Sequence, residues 1–381
     1  MKILQVIESF APQFGGPVNA VYNLSEYLSK SGHDVTIVTT DLGLDTKYIS
    51  SMESKGVNVV YFHCKLNLFS FFYSPSIKKW LKENINDFDI VHMHNFRAYQ
   101  NYLASYYAKK VKTPYILQAR GSVLPFFQKT FLKKLFDYFW GYKILDDAKF
   151  VIALTNDELN QYQKMGVALD KISIVPNGID ILKYEGLNHV KGNFRAKYNI
   201  KESDKIILFL GRIHKIKGID LLIKSFVKIN NRKNVKLVLV GPDDGFQKSA
   251  EKLVKKNKIE NEVIFTGPLY GKEKLEAFAD ADLFILPSIY EAFPNTVLEA
   301  MYCEIPIIVT EGCRIADNIN GKVGLKVNFD VEDLKNAIDK ILTNEKLRRE
   351  FGKAGKNIII RDYTLKKVAQ DISDVYQNAI N

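Results

Sequence analysis

The sequence predicts an α/β protein made of two doubly wound, Rossmann-like domains. Short apolar segments of strand length alternate with amphipathic helical segments along nearly the whole chain of 381 residues. This alternation is typical of a parallel sheet whose two faces are both covered by helices. The chain is longer than one hydrophobic core usually covers, and the alternation starts again near residue 205. We therefore expect two parallel sheets, one in each domain.

Seven segments of strand length are predicted in the first half of the chain, most of them followed by a helical pattern. They are Lys2–Ile7, Asp34–Thr39, Val57–Phe62, Asp89–Met93, Tyr115–Gln118, Phe150–Ala153 and Ile172–Val175. The first of these leads through a loop to Gly15 and Gly16 and then to an amphipathic helix. A glycine-containing turn between a strand and a helix is typical of a doubly wound fold.

The second half repeats this arrangement. Its predicted strands are Lys205–Leu210, Val235–Val240, Glu262–Phe265, Asp282–Leu286 and Ile305–Val309. The first of them again leads through a loop to a glycine, Gly218, and a helix. The stretch Ile179–Asp204 has weak periodicity and many polar residues, as a linker would. We place an N-terminal domain at 1–185 and a C-terminal domain at 186–362.

Net charge and cysteine content restrict the partners and the cellular location that we expect for this protein. The net charge of +11 favours an anionic partner, which nucleic acid, phosphorylated small molecules or lipid headgroups would all provide. No basic stripe with interleaved stacking aromatics is found, so we expect no nucleic-acid partner. The three cysteines lack the spacing of a disulfide framework or a zinc site, which favours a reducing, cytoplasmic location. No apolar run reaches the length of about 18 residues that a membrane span needs.

The segment Pro287–Glu299 is the strongest candidate for a ligand site. It joins a predicted strand to a helix that we expect to start at about Pro294, and Glu291 and Glu299 lie on either side of that start. Ligands of open α/β sheets bind beyond the carboxyl ends of the strands, and free N–H groups at a helix start attract phosphate. The two carboxylates would then hold hydroxyl groups on either side of a pyrophosphate. Alternatively, they are an ordinary loop acid and an ordinary helix acid.

A second segment of the same domain supports the ligand interpretation. Arg212 and Lys217 follow the strand Lys205–Leu210, at the same edge of the predicted sheet. Two cations can stabilise the negative charge that grows on a diphosphate leaving group, without help from a metal. By itself such a loop is an ordinary basic surface loop, but its pairing with the acidic segment favours a site.

Together these segments resemble the retaining GT-B glycosyltransferases of the family-4 type. In that family two glutamates separated by seven residues mark the donor site, which corresponds to Glu291 and Glu299 here. A Gly-Arg…Lys-Gly loop, here with Arg212 and Lys217, holds the donor pyrophosphate. The resemblance covers most of the chain and includes Val175–Asp180, Gly241–Asp244 and Phe265–Leu269.

The resemblance implies roles for particular residues. Glu291 would contact the transferred sugar, Glu299 the ribose, and Gly16 the donor phosphate and sugar. Further donor contacts would come from residues of the same motifs, namely Leu269, Phe293, Pro294, Asn295 and Thr296. A C-terminal helix, at about 363–381, would cross back to the first domain.

The chain departs from the family pattern after the strand Tyr115–Gln118. Relatives often carry His-Gly there, whereas this chain has Arg120 followed by Gly121. We expect Arg120 to bind an acceptor phosphate or the donor. His94 and Asn95, at the end of another strand of the same domain, are further acceptor-side candidates.

Two Asp-x-Asp sequences invite a metal interpretation. Asp87–Asp89 and Asp280–Asp282 each directly precede a predicted strand, which places them at the sheet edge away from ligands. We therefore expect helix ends or turns there, no metal site and no cofactor. Gly15 and Gly16 match neither a dinucleotide fingerprint nor a Walker motif, which argues against a dehydrogenase and an NTPase.

The two segments by themselves predict a site for a diphosphate, and the resemblance implies a metal-independent retaining hexosyltransferase that acts in a cleft between its domains. The donor would be a nucleotide-diphosphate sugar, and the acceptor a glycan or a lipid-linked molecule in polysaccharide or glycolipid assembly. A two-domain phosphosugar-binding protein without catalysis is the alternative. The oligomeric state stays open.

One aromatic segment has no place in this scheme. Phe126–Trp140 carries more aromatics than one core-facing stripe requires. On a helical wheel Leu132, Phe136 and Trp140 lie at the margin of a narrow polar strip formed by Thr130, Lys133, Lys134 and Asp137. A neighbouring helix or a second subunit would cover them. Alternatively this segment and Phe69–Tyr73 rest on the anionic inner face of the cell membrane.

Overall fold

The structure is a computed structural model that describes residues 1–68, 71–125 and 130–381. The chain forms two compact units. Unit 1 consists of Met1–Gly178 together with Leu365–Asn381, and unit 2 of Ile179–Thr364. Each unit contains one all-parallel sheet flanked by helices, so the predicted α/β class with two doubly wound domains is confirmed.

Unit 1 is built on a seven-stranded parallel sheet in the order β3-β2-β1-β6-β7-β8-β9. Its strands are β1 (Lys2–Val6), β2 (Asp34–Thr40), β3 (Val57–Phe62), β6 (Ile90–His94), β7 (Tyr115–Gln118), β8 (Phe150–Ala153) and β9 (Ile172–Ile174), with a separate antiparallel hairpin of β4 (Leu66–Leu68) and β5 (Phe71–Tyr73). Its helices are α1 (Gly16–Lys30), α2 (Thr46–Glu53), α3 (Pro75–Asn84), α4 (Tyr99–Val111), α5 (Thr130–Phe136), α6 (Tyr142–Asp147) and α7 (Asn156–Lys164). Apolar residues on both faces of the central strands are buried, because helices cover both faces. The strand order changes direction between β1 and β6.

Unit 2 is built on a six-stranded parallel sheet in the order β12-β11-β10-β13-β14-β15. Its strands are β10 (Lys205–Leu210), β11 (Val235–Val240), β12 (Val263–Gly267), β13 (Leu283–Leu286), β14 (Ile307–Thr310) and β15 (Gly324–Val327). Its helices are α8 (Asn193–Lys197), α9 (Ile219–Lys228), α10 (Gln247–Lys256), α11 (Gly271–Asp280), α12 (Asn295–Tyr302), α13 (Ala316–Ile319), α14 (Val331–Thr343) and α15 (Glu345–Asp362). The order changes direction between β10 and β13.

The last helix, α16 (Leu365–Ile380), belongs to unit 1. Its apolar side chains, including Val368 and Ile372, are buried in the same core as β1. The Tyr376 hydroxyl accepts a hydrogen bond from the Gln5 amide at 3.1 Å. The C-terminal end of the chain is therefore an integral part of the N-terminal sheet unit.

All twelve predicted strands are present, with ends displaced by at most two residues. The pattern missed β15 and the β4–β5 hairpin. β15 is an edge strand of four residues that contains Gly324 and Lys326, so it lacks the continuous apolar run of a central strand. The hairpin strands have only three residues each, too few for a periodicity to show.

The predicted linker folds as part of unit 2. The Asp280 carboxylate accepts hydrogen bonds from the backbone N–H of Gly192 at 2.6 Å and of Arg195 at 2.9 Å.

Two further acids of the Asp-x-Asp sequences also bind backbone groups. Asp282 accepts from the N–H of Ile206 at 2.9 Å, and Asp89 from the N–H of Lys2 at 2.7 Å. Asp282 and Asp89 therefore anchor the backbone at the starts of β10 and β1, and Asp280 anchors the start of α8.

Candidate functional site

The topology places the candidate residues of unit 2 beside the point where its strand order changes direction. Arg212 and Lys217 follow β10, and Glu291 follows β13. These two strands are neighbours in the sheet, so their carboxyl ends share one edge. Ligands of doubly wound sheets bind at such a point.

The loop between β13 and α12 holds Glu291 firmly. Its backbone N–H donates to the Gly312 carbonyl at 3.0 Å, and its carbonyl accepts from the N–H of Arg314 at 2.9 Å. The Ser288 hydroxyl donates to Glu291 Oε1 at 3.1 Å. A β-carbon at Gly312 would lie 2.2 Å from the Ile289 carbonyl oxygen, so only glycine allows the two loops to approach this closely.

Lys217 forms an ion pair with Glu291, and both side chains are mostly buried, with 16% and 15% exposed. The loop that carries Lys217 is fixed by a hydrogen bond from the Ile289 N–H to the Ile216 carbonyl at 2.8 Å. Gly218 ends this loop in the left-handed region, at φ +66°, where a β-carbon would lie 1.9 Å from the Pro287 carbonyl oxygen. The structure thus brings together two of the predicted catalytic residues.

Arg212 has a different partner. Its Nη1 donates to Asp244 Oδ2 at 2.6 Å, and about half of each side chain is exposed (52% and 40%). The isolated bridge between Ile213 and Asp243 holds the two loops side by side. A surface ion pair of this kind is weak and exchanges readily for a ligand.

Helix α12 starts one residue later than predicted, because Pro294 occupies its N-cap position with φ −80° and ψ 114°. Asn295 and Thr296 therefore form its first turn, where backbone N–H groups have no partner within the helix. Asn295 Oδ1 is buried and accepts no hydrogen bond from any residue that the structure describes. Phe293 and Leu269 are buried, and the Phe293 ring lies 5.8 Å from that of Tyr363.

Glu299 lies one turn further along α12 and has partners that the sequence did not reveal. Lys274 Nζ lies 2.7 Å from Glu299 Oε2, and both side chains are mostly buried. The Tyr184 hydroxyl donates a hydrogen bond to Glu299, and burial together with this carboxylate raises the tyrosine pKa. In the sequence Lys274 has the features of a solvated helix lysine and Tyr184 lies in the supposed linker, so neither gave a signal.

In unit 1, Gly16 is the first residue of α1 and follows Gly15, which has φ +79°. A β-carbon built on Gly16 would meet no described atom within 4 Å. The backbone at this helix start is therefore open to a close approach.

His94, Asn95 and Arg120 belong to a polar network at the carboxyl ends of β1, β6 and β7. His94 is completely buried, with Nε2 hydrogen-bonded to Gln5 Oε1 and Nδ1 to Arg120 Nε. Its ring has no exposed surface, so His94 positions other groups and does not itself face solvent. Asn95 has φ +61° and donates to Glu8 Oε1 at 2.7 Å. Sequence patterns missed Gln5 and Glu8 because isolated polar residues near a strand give no periodic signal.

The aromatic segment differs from the predicted helix. A π-helical turn, Asp137–Gly141, interrupts it after α5. Asp137, which the helical wheel placed in the polar strip, is buried and forms an ion pair with Arg97 at 2.7 Å. Of the three residues predicted at the margin of the strip, Phe136 is partly buried against the core of unit 1, whereas Leu132 and Trp140 are exposed. Residues 126–129 and 69–70 of the two predicted aromatic segments lie outside the described residues.

The fold and the loop geometry define a two-sheet protein of the doubly wound class with a polar site at the strand ends of each sheet. The family described as "Glycosyl transferases group 1" matches residues 190–358, and "Glycosyltransferase Family 4" matches residues 14–182. Together the two matches span most of the chain, which therefore belongs to the family-4-type group 1 glycosyltransferases and has a GT-B fold.

Individual relatives agree with this assignment. An uncharacterized glycosyltransferase of Methanocaldococcus jannaschii is 24% identical, with 100% of this chain and 99% of the relative covered. The N-acetyl-alpha-D-glucosaminyl L-malate synthase of Bacillus anthracis is 24% identical, with coverage of 97% and 95%. The crystal structure of Anabaena HepE in complex with UDP and glucose superposes with a TM-score of 0.82 at 17% identity, with 99% of both chains covered.

None of the helices described here is long and apolar enough to cross a membrane.

Proposed function

We propose that this glycosyltransferase moves a hexose from a nucleotide-diphosphate sugar to an acceptor hydroxyl, with retention of configuration and without a metal. The observation that carries the proposal is the Lys217–Glu291 ion pair at the sheet edge beside β10 and β13, which joins the loop before α9 to the loop that leads into α12. The acceptor would be a glycan or a lipid-linked molecule in cell-surface polysaccharide or glycolipid assembly. The solved complex of Anabaena HepE with UDP and glucose supports a nucleotide sugar as the donor.

The ion pairs of unit 2 suggest how the donor binds. A diphosphate has affinity for the start of α12 because unpaired N–H groups and the helix dipole favour negative charge there. Lys217 and Arg212 would exchange their carboxylate partners for phosphate oxygens. Glu291, released from Lys217, would then accept hydrogen bonds from hydroxyls of the transferred sugar, and Glu299 from those of the ribose.

The chemical step follows from these contacts. The bond between the anomeric carbon and the diphosphate oxygen breaks, and the acceptor oxygen attacks the same face of the sugar. The acceptor proton passes to the leaving phosphate oxygen, which gives a glycoside and a nucleoside diphosphate. Lys217 and Arg212 would stabilise the charge that develops on the leaving group, which is the largest contribution in many enzymes.

The test is calorimetric titration of the protein with a panel of nucleotide-diphosphate sugars, followed by acceptor assays with the donor that binds. We expect one donor to bind tightly, nucleotide release to match new glycosidic bonds, activity to persist in EDTA, and NMR to show retention. Binding without any transfer would support the phosphosugar-binding alternative. Activity lost in EDTA and restored by Mg²⁺ or Mn²⁺ would contradict metal independence.

We further propose that the aromatic segment contacts an anionic membrane. Seven exposed apolar residues lie in α5, the π-helical turn and α6: Phe131, Leu132, Leu135, Tyr138, Phe139, Trp140 and Tyr142. Phe131 and Tyr138 are 75% and 77% exposed, and the exposed Lys134 and Lys143 lie among them. Aromatics flanked by lysines bind acyl chains and anionic headgroups together. The buried Arg97–Asp137 pair holds this segment against unit 1.

Flotation with anionic and with neutral liposomes tests the membrane contact. We expect the protein to float with anionic vesicles at low salt, and a Phe131→Ser, Phe139→Ser variant to remain in the soluble fraction. Tyr61→Ser, which removes another exposed aromatic of unit 1, is the matched control. A native protein that stays soluble with both vesicles, or a double variant that still floats, would contradict the contact.

A further inference from the structure

Arg120 is a cation whose hydrogen bonds go only to neutral groups. Its Nε donates to His94 Nδ1 at 3.3 Å, and its Nη1 donates to Asn177 Oδ1 at 2.7 Å. In the described ranges no carboxylate forms an ion pair with Arg120, and its Nη2 donates to no residue. A guanidinium has five N–H donors, so three of them have no partner here.

The histidines beside Arg120 carry no charge. Burial lowers the pKa values of His92 and His94 well below the ordinary value, and the charge of Arg120 opposes protonation of either ring as well. The hydrogen-bond chain also fixes the tautomer of His94. The amide NH₂ of Gln5 donates to the Tyr376 hydroxyl, so Gln5 Oε1 accepts a hydrogen bond from His94 Nε2–H. The His94 Nδ1 lone pair therefore faces Arg120 and orients the guanidinium.

The Glu158 carboxylate, whose charge acts on Arg120, is hydrogen-bonded to backbone groups. Both carboxylate oxygens of Glu158 accept backbone N–H groups, from Gly121 and from Leu154. Burial raises the pKa of Glu158. Burial lowers the pKa of Arg120 to about 10, although the Glu158 charge raises it. Arg120 thus stays charged at neutral pH, and a partly buried charge without a hydrogen-bonded counter-charge destabilises the fold.

The backbone of Arg120 is also strained. It has φ +52°, in the left-handed region, and Gly121 follows with φ +88°. Glycine would adopt this conformation without the penalty that a β-carbon brings, on the order of 1 kcal/mol. Charge burial and backbone strain at one residue, at the ligand edge of the sheet, together indicate that the side chain binds something.

We infer that Arg120 is the receptor for an oxyanion, a phosphate or a carboxylate group, carried by the acceptor substrate. The inference rests on the proposed function for the word acceptor, but the anion site itself does not depend on it. Two of the three unpartnered N–H groups can bind two oxygens of one anion in the fork geometry that arginine prefers. His94 and Asn177 act as positioning residues, because they hold Nε and one N–H of Nη1 and leave the second N–H of Nη1 and both N–H groups of Nη2 for the ligand.

Titration of inorganic phosphate and of malonate into the full-length protein tests the site, with and without saturating UDP. We expect at least one anion to bind in both conditions and Arg120→Met to weaken it at least 10-fold, while the affinity for UDP stays within 2-fold. Arg120→Lys should retain part of the affinity, and His94→Gln should weaken binding by a smaller factor. Lys149→Met removes the same charge from the opposite edge of the sheet and should leave anion binding unchanged.

The outcomes separate this inference from the proposed function. No binding of either anion, or equal binding by the native protein and Arg120→Met, overturns the anion site even if UDP binds. Anion binding that UDP abolishes would assign Arg120 to the donor and overturn its role towards the acceptor. A protein that binds phosphate or malonate through Arg120 but no nucleotide sugar would contradict the proposed function alone. If the Arg120→Gly variant melts at a higher temperature than the native protein and no longer binds the anion, the inference that Arg120 serves binding at the expense of stability gains further support.

Discussion

At the scale of single residues, the candidate donor site depends on acids and bases that neutralise one another until a ligand arrives. Lys217 pairs with Glu291, Lys274 with Glu299, and Arg212 with Asp244. Each pair keeps a charge near the sheet edge without leaving it unpaired. Under the proposed function, a diphosphate and two sugar rings would offer matching partners, so that the charges would exchange without a large cost.

Lys217→Met should lower the rate of transfer by about 100-fold while donor binding changes only a few-fold, because negative charge on the diphosphate grows towards the transition state. Arg212→Met should act in the same direction but more weakly, since Arg212 is half exposed and better screened. Single-turnover rates and calorimetric affinities for the same donor measure the two effects. Full activity of the Lys217→Met variant would contradict the proposed role of Lys217 in stabilising the charge on the leaving group.

Glu299→Ala should act chiefly on donor affinity, because a ribose contact is the same before and during bond cleavage. We expect about a 10-fold loss with UDP, and a much smaller loss with 2′-deoxy-UDP, which lacks one of the ribose hydroxyls. Lys274→Met should show the same pattern, since it leaves Glu299 without its 2.7 Å ion-pair partner. Equal losses for the two nucleotides would contradict a ribose contact.

At the scale of elements, the site is made by loops that glycine packs tightly onto neighbouring strand ends. Gly218 lets the turn before α9 lie against the Pro287 carbonyl, and Gly312 lets the loop after β14 lie against the Ile289 carbonyl. These approaches place Lys217 and Glu291 on facing loops. Substituting either glycine should separate them.

Gly218→Ala should lower the free energy of unfolding by about 3 kcal/mol and also lower donor affinity, because its β-carbon collides with backbone and the loop must shift. Gly245→Ala is the matched control: Gly245 has φ +84° in the same unit, but nothing lies within 4 Å of its β-carbon position. That variant should lose only about 1 kcal/mol from the backbone conformation. Denaturant unfolding and donor titration measure both, and similar losses in the two variants would contradict the close approach.

At the scale of the whole molecule, buried histidines link the folding of unit 1 to pH. Burial lowers the pKa of His92 and of His94 well below the ordinary value. Between the unfolded value of about 6.5 and the lower folded values, the unfolded chain binds more protons than the folded chain. The stability that these histidines contribute is therefore present above pH 6.5 or so and is lost as the pH falls further.

The His94→Gln variant isolates one of these groups. Between pH 7.5 and 5.5 the native protein should lose about 1 kcal/mol more unfolding free energy than the variant. Glu8 and Glu158, whose pKa values burial raises, act in the opposite direction but are present in both proteins. Urea unfolding of both at the two pH values is the measurement. Parallel pH dependences would show that His94 titrates normally in the folded state.

The secondary structure and the motifs were accessible from sequence because they depend on neighbours along the chain. Buried parallel strands require continuous apolar runs, and this requirement alone located all twelve predicted strands. β15 escaped because an edge strand needs fewer apolar residues. Lys217, Glu291 and Glu299 were found because each lies at a fixed distance from a strand end or a helix start.

The sequence by itself determined the α/β class, the two sheets and the loops that carry the candidate donor residues. Only the tertiary structure decided which charges pair: Lys274 and Tyr184 with Glu299, Asp244 with Arg212, and Gln5 and His94 in the chain that orients Arg120. Periodicity records whether a residue faces water or the core, whereas these pairings join residues from distant segments that meet only when neighbouring strands end at the same edge. Partner identity there is set by distances of a few ångström between side chains, which no local pattern encodes.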